Sequence, residues 1–262
     1  MADPILLRHD ADHIATLTLN TPHSLNALSS AMIAALHDQI TALAVDPSIR
    51  VVVVRGAGKV FCAGHDLKEM QAARASADRG RRYFTTLFNT CAAMMQALQA
   101  LPQPVIASVH GIATAGGCQL AASCDMIVAA DTARFGVNGV NIGLFCSTPM
   151  VALTRKVPAA IAFEMLTTGD FVDAARAREV GLVNRVVPAN ALMQETQALA
   201  ATLAGKLTSA VRVGKAAFYA QAGLNLAEAY AYTGQVMVEN MLVPDTDEGI
   251  TAFLEKRAPN WS

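Results

Sequence analysis

The sequence predicts an α/β fold, and three observations carry the prediction. Strand-like and helix-like runs alternate over roughly the first 190 residues. One run, Val51 to Val54, is unbroken and β-branched, which suits a parallel strand covered on both faces. Beyond about residue 190 only helical periodicity remains. Two regions are therefore expected: a strand-rich core over 1–190 and a helical region over 191–262. The chain has 262 residues, 53% of them hydrophobic and 16% charged, so a large apolar core is within reach and disorder is disfavoured.

The elements follow in order. Apolar residues alternate through IATLTLN at 14–20, the pattern of a half-buried strand, and a turn follows at Thr21 to Ser24. Ile33, Leu36, Ile40 and Leu43 recur at helical spacing, and Asp46-Pro47 closes that helix. The valine strand ends at GAGK, 56–59. A helical stretch over 80–101 is stopped by LPQP, and PVIASV, ending at Val109, reads as the next buried strand. The run CQLAASC from Cys118 has too few polar residues for a surface helix and is expected to be a buried central one. DMIVAA restarts a strand at 125–130, and helices are expected over 191–205, 208–221 and 225–242.

Composition narrows the function. A net charge of −1 without blocks of like charge offers no grip on a nucleic-acid backbone, so nucleic acid is not an expected partner. The apolar stretch from Pro104 to Ala130 is interrupted by His110, Gln119 and Asp125, which argues against a membrane span of about 20 apolar residues. Five cysteines (62, 91, 118, 124 and 146) form no CxxC pair and have no histidine at ligand spacing, so neither a disulfide framework nor a metal site is expected. The first residues show no basic segment followed by an apolar one, and a cytosolic protein is expected on that ground.

Two glycine-punctuated turns stand directly after strands: VFCAGHDLK, from Val60 to Lys68, and HGIATAGGC, from His110 to Cys118. Small residues at a strand-to-helix turn permit close backbone approach and leave N–H groups unpaired at the helix start. Two such turns together can bind one oxyanion, although glycine after a strand is also ordinary turn chemistry.

FCAGHDLKEM and HGIATAGGCQLAASCDM resemble the paired signatures of the crotonase, or enoyl-CoA hydratase/isomerase, family. Asn26-Ala27-Leu28, Phe135-Gly136, LTTGD at 166–170 and AFLEKR at 252–257 extend the resemblance over about residues 5–257, and GVNIGLFCSTP at 139–149 is similar to one particular branch. The resemblance implies a spiral of ββα units with C-terminal helices that pack a homotrimer or a dimer of trimers. It implies an acyl- or enoyl-CoA thioester as substrate, no bound cofactor, and a role in fatty acid metabolism. The thioester carbonyl would be polarised by the backbone N–H groups of His65 and Gly116. Leu25, Asn26, Ala63, Asp66 and Leu67 would line the coenzyme path, with Phe253 and Lys256 supplied by a neighbouring subunit. Lys68, Arg79, Arg81 and Arg82 read as surface cations first.

The family hydrates enoyl thioesters with two glutamates, and here the sequence departs from it: the two positions hold Gln119 and Gly139. An amide is no base near neutral pH and glycine has no side chain, so hydration is expected to be weak. Restoring both carboxylates, Gln119→Glu with Gly139→Glu, is expected to raise it. Gln119 is expected to orient ligand or water. Asn138, Asn141, Cys146 and Ser147 lie near the second position, and His65 carries an imidazole suited to acid–base work. Asp66 at a helix start suits a cap better than a base. Three readings stay open: an enzyme of hydratase/isomerase type, a binding or regulatory protein without turnover, and an acyl-CoA hydrolase or decarboxylase.

Overall fold

A computed structural model describes residues 3–261. The strands are β1 (Leu6–Ala11), β2 (Ile14–Leu19), β3 (Val51–Gly56), β4 (Val60–Cys62), β5 (Val105–Val109), β6 (Ile112–Thr114), β7 (Met126–Ala130), β8 (Arg134–Gly136), β9 (Val172–Asp173) and β10 (Arg185–Val187). The helices are α1 (Ser30–Ala44), α2 (Leu67–Ala73), α3 (Arg81–Ala100), α4 (Gly116–Ser123), α5 (Ser147–Leu153), α6 (Ala159–Thr168), α7 (Ala174–Glu179), α8 (Leu192–Ala204), α9 (Thr208–Gln221), α10 (Leu226–Met241) and α11 (Pro244–Glu255).

Two sheets are stacked. The larger runs β1-β2-β3-β5-β7-β10, parallel except for the β1–β2 pair, and the smaller runs β4-β6-β8-β9 with only β9 antiparallel. Each spiral turn lays one strand in the large sheet and the next in the small one before a helix returns the chain. This is the ββα spiral that the sequence predicts.

The valine run shows why the sheet is buried on both sides. Val52 and Val54 face α1 and α3, in a core with Leu36, Ile40, Met94 and Leu98, while Val51 and Val53 face α8 through Leu192, Leu199 and Ala200. Successive strand side chains point to opposite faces, so two cores require an apolar residue at every position. Strand β5 divides in the same way, with Val105, Ala107 and Val109 on one side and Ile106 on the other. The helical stretch expected after 190 is thus not uniform: α8 closes the second core, whereas α9 buries only Ala217 and α10 buries none of its residues.

Helix ends are held as their sequences suggest. Ser29 caps α1 by accepting from the Met32 N–H, and Asp66 caps α2 by accepting from the Lys68 and Glu69 N–H groups. Helix α9 is fixed by a buried pair, Lys215 Nζ to Asp125 Oδ2 at 2.7 Å, with the Tyr219 hydroxyl donating to Asp125 Oδ1 at 2.7 Å. The Val105 N–H donates to the same carboxylate. Removing one partner of such a buried pair typically costs about 3–5 kcal/mol, because it strands the other charge.

Candidate active site

The two glycine turns meet. Strands β4 and β6 are neighbours in the small sheet, so the turns that follow them, at 63–66 and 115–116, lie side by side. A Cβ built on Gly116 would sit 3.6 Å from the His65 nitrogen, and one built on Gly64 would sit 3.0 Å from the Gly116 nitrogen. Among the described residues neither N–H donates to a protein oxygen. Gly116 opens α4 with no side-chain cap, so the positive end of that helix faces the same point. The preceding Ala115 holds φ 48° and ψ −120°, fixed by its N–H donating to Gly136 O at 2.9 Å. A non-glycine residue held there costs of the order of 1–3 kcal/mol.

The N–H pair opens into a cavity of about 450 Å³. Ala63, His65, Leu67, Met70 and Phe88 form one wall, and Asn138, Gly139, Ile142, Leu144, Phe145, Cys146 and Pro149 form the other. No carboxylate lines it among the described residues. The His65 ring packs edge-on against Phe88, centroids 5.5 Å apart, and its Nδ1 lies 3.4 Å from Leu28 O. Its Nε2 is buried without a partner, and burial pushes its pKa below the ordinary value. The imidazole is therefore neutral near pH 7. Burial raises the Cys146 thiol, so it is no ready nucleophile. All five cysteines are free and buried, and no group of three or more metal-ligating side chains forms among the described residues.

The sequence candidates divide on this geometry. His65, Gly116, Ala63, Leu67 and Gly139 line the cavity. Leu25 stands half exposed beside it, its carbonyl accepting from the Ala63 N–H. Asn26 is corrected: it is fully buried, its Oδ1 accepting from the Thr21 N–H and its Nδ2 donating to Ala57 O and Val60 O at 2.8 Å, so it ties the loop to β3 and β4 and cannot meet a ligand. Asp66 spends its carboxylate on the α2 cap and does not line the cavity. Gln119 is buried in α4 behind the lining, with an unpartnered Oε1. Phe253 and Lys256 lie on α11 and at its end, exposed and away from this cavity.

The expected gain from Gly139→Glu is also corrected. Gly139 is not left-handed, so its backbone would admit a side chain, but a Cβ there would meet Leu144 O at 2.5 Å and Cys146 Sγ at 2.8 Å. The loop folds back through the Leu144 N–H donating to Gly139 O and occupies the space that a carboxylate would need. Sequence reading missed Thr114, Met70 and Phe88. For Thr114 a signal existed, a lone hydroxyl in the small apolar run GIATAGG.

The sequence model of the Enoyl-CoA hydratase/isomerase family matches residues 9–262. The chain belongs to that family. Among relatives, enoyl-CoA hydratase domain-containing protein 3 of Xenopus laevis is 46% identical over 259 residues, which is 99% of this chain and 86% of the relative. A crystal structure of enoyl-CoA hydratase from Mycobacterium smegmatis superposes with a TM-score of 0.95 at 53% identity, covering 99% of both chains. That of human enoyl-CoA hydratase domain-containing protein 3 gives 0.93 at 43%, covering 98% of this chain and all of the other. The crotonase fold is thereby established. The cytosolic expectation is overturned, since the Xenopus laevis, rat and human relatives are all named as mitochondrial. The physical reason is that location is written in targeting segments and not in a folded core, which is the same wherever the protein works.

Proposed function

We propose that this crotonase-family protein binds acyl-CoA thioesters in the cavity and acts as an enzyme of hydratase/isomerase type that works chiefly by polarising the thioester carbonyl. The observation that carries the reading is the pair of unspent N–H groups, His65 and Gly116, converging at the mouth of an apolar cavity. As electron density reaches the thioester oxygen, each preorganised donor in a water-poor site contributes about 3–4 kcal/mol. The apolar lining of Leu67, Met70, Phe88 and Phe145 suits an acyl chain. Ordinary enoyl hydration is slow, since the two positions that would activate water hold a buried amide and a glycine whose side-chain space is filled. The filled space at Gly139 favours a second reading, a binding protein without turnover.

The assembly proposed is a homotrimer or a dimer of trimers. Leu226, Tyr230 and Met237 on α10 and Phe253 and Leu254 on α11 are each more than half exposed, an apolar surface that subunit packing would cover. Phe253 and Lys256 would then reach a neighbour's coenzyme path.

Thermal unfolding with saturating acetyl-CoA and a medium-chain enoyl-CoA tests the binding reading. A ligand at 100 times its Kd adds about 2.7 kcal/mol, and a rise in Tm of several degrees is expected. No shift with either thioester would remove the reading. Crotonyl-CoA hydration, followed by loss of enoyl absorbance, is expected near background, and brisk turnover would disprove the slow-hydration part.

A further inference from the structure

A second cavity, of about 450 Å³, shares no lining residue with the first. It lies where β3 begins, beside the end of α8 and the starts of α9 and α11, and Arg50, Lys206 and Arg212 all line it. Among the described residues none of these three cations makes an ion pair. Asp245 is the one carboxylate in the lining and stands in the first turn of α11, so the cavity carries an excess of positive charge.

Backbone contacts hold the two guanidinium groups in place. Arg50 Nη1 donates to Ala204 O at 3.1 Å, at the end of α8, and Arg212 Nη2 donates to Ile49 O at 3.4 Å, just before β3. A guanidinium has five N–H donors, so each keeps others unspent. Ser209 Oγ and Arg212 Nε, one turn apart on α9, are buried without a partner. Helix α9 begins without a side-chain cap, and its first three N–H groups find no backbone acceptor among the described residues. Every unspent nitrogen here is a donor, and a phosphate brings several acceptor oxygens together with the opposite charge. Trp261 lines the same cavity and is 37% exposed. A Cβ on Gly249 would stand 3.0 Å from its ring, so the indole is laid against α11 and presents a fixed aromatic surface.

We propose that this cavity is a second ligand site that takes a mononucleotide, with the phosphate on Arg50, Lys206 and Arg212 and the base against Trp261. Its volume is in the range of small-molecule sites. None of its lining residues is among those that the family resemblance places along the coenzyme path, so the inference stands apart from the acyl-CoA reading.

The test is titration calorimetry on the full chain at low ionic strength, with AMP, adenosine and inorganic phosphate as probes. AMP is expected to bind at least tenfold more tightly than adenosine, which lacks the phosphate, and more tightly than inorganic phosphate, which lacks the base. Added salt should weaken AMP binding, because cations near solvent are screened. Lys206→Ala, at an exposed position, should weaken AMP about threefold or more, and Arg212→Ala about tenfold. Trp261→Ala should weaken AMP and leave inorganic phosphate unchanged. In the wild-type protein, absence of AMP binding, or equal affinity for AMP and adenosine, overturns the proposal whether or not a variant folds. AMP affinity unchanged in both Lys206→Ala and Arg212→Ala overturns it too, and displacement of that AMP by acetyl-CoA would place the nucleotide in the coenzyme path instead.

Discussion

Two glycines on facing walls of the cavity do opposite work. A Cβ on Gly116 would meet only ordinary contacts, 3.6 Å from the His65 nitrogen and 3.5 Å from the Gly64 Cα, with the movable tip of Leu28 at 3.3 Å as its tightest neighbour. A Cβ on Gly139 would project into the protein, 2.5 Å from a backbone carbonyl. On the proposed reading the first glycine keeps space for a ligand oxygen, and the second lets a loop close where the family resemblance implies a glutamate. Sterics exclude a side chain only at Gly139, whereas at Gly116 the fold itself leaves room for one. On the proposed reading, the polarising half of the site is kept by the fold, while the chain's own backbone fills the space beside Gly139.

That contrast breaks most visibly at Gly139. Gly139→Glu must displace the Leu144 carbonyl and the Cys146 thiol, and overpacking of this kind costs about 1–3 kcal/mol before the burial of a carboxylate is added. A fall in Tm of about 5 °C or more is expected, with no gain in crotonyl-CoA hydration even alongside Gln119→Glu. A variant that melts normally and hydrates faster would show that the loop yields and that the second wall is only a missing side chain.

At Gly116 the expectation is reversed, a change in binding with little change in stability. In Gly116→Ala the new methyl stands 3.6 Å from the His65 nitrogen and crowds an oxygen that accepts from that N–H, while Leu28 needs to give by only a few tenths of an ångström. Thioester affinity should fall at least tenfold, read by calorimetry, and stability should change by less than about 1.5 kcal/mol. Unchanged affinity would mean that the two N–H groups do not hold the carbonyl.

The smallest expected effect concerns the imidazole beside those groups. Burial depresses the His65 pKa below its ordinary 6.5, so the unfolded chain takes up a proton more readily than the folded one. The associated stability is fully present above pH 6.5 and is lost as the pH falls below it toward the folded value. His110, also depressed by burial, adds a slope of the same sign. Denaturation midpoints measured from pH 7.5 to 5 should decline below 6.5, and less steeply in His65→Gln. An identical slope in that variant would place the imidazole in water rather than against Phe88.

The four inner strands of the large sheet, β2, β3, β5 and β7, the buried central helix, most of the helical region after 190 and the two turns of the site were legible in the sequence, whereas β1 and β10 were not. The reason is physical: a four-valine run with apolar residues at every position, or apolar residues three and four apart, is a signal carried within one segment. That positions 119 and 139 hold Gln and Gly was legible in the same way, since it concerns which residues are present. Tertiary structure alone decided the small sheet, whose strands of two or three residues are too short to show a period and exist only because each finds its neighbour across the spiral. It also decided that Asn26 fastens three backbone segments, that Leu144 fills the place beside Gly139, and that the Thr114 hydroxyl donates to the Asn138 amide oxygen. Each of these is a contact between segments separated along the chain, and contact distances belong to the packed backbone, not to the order of the residues.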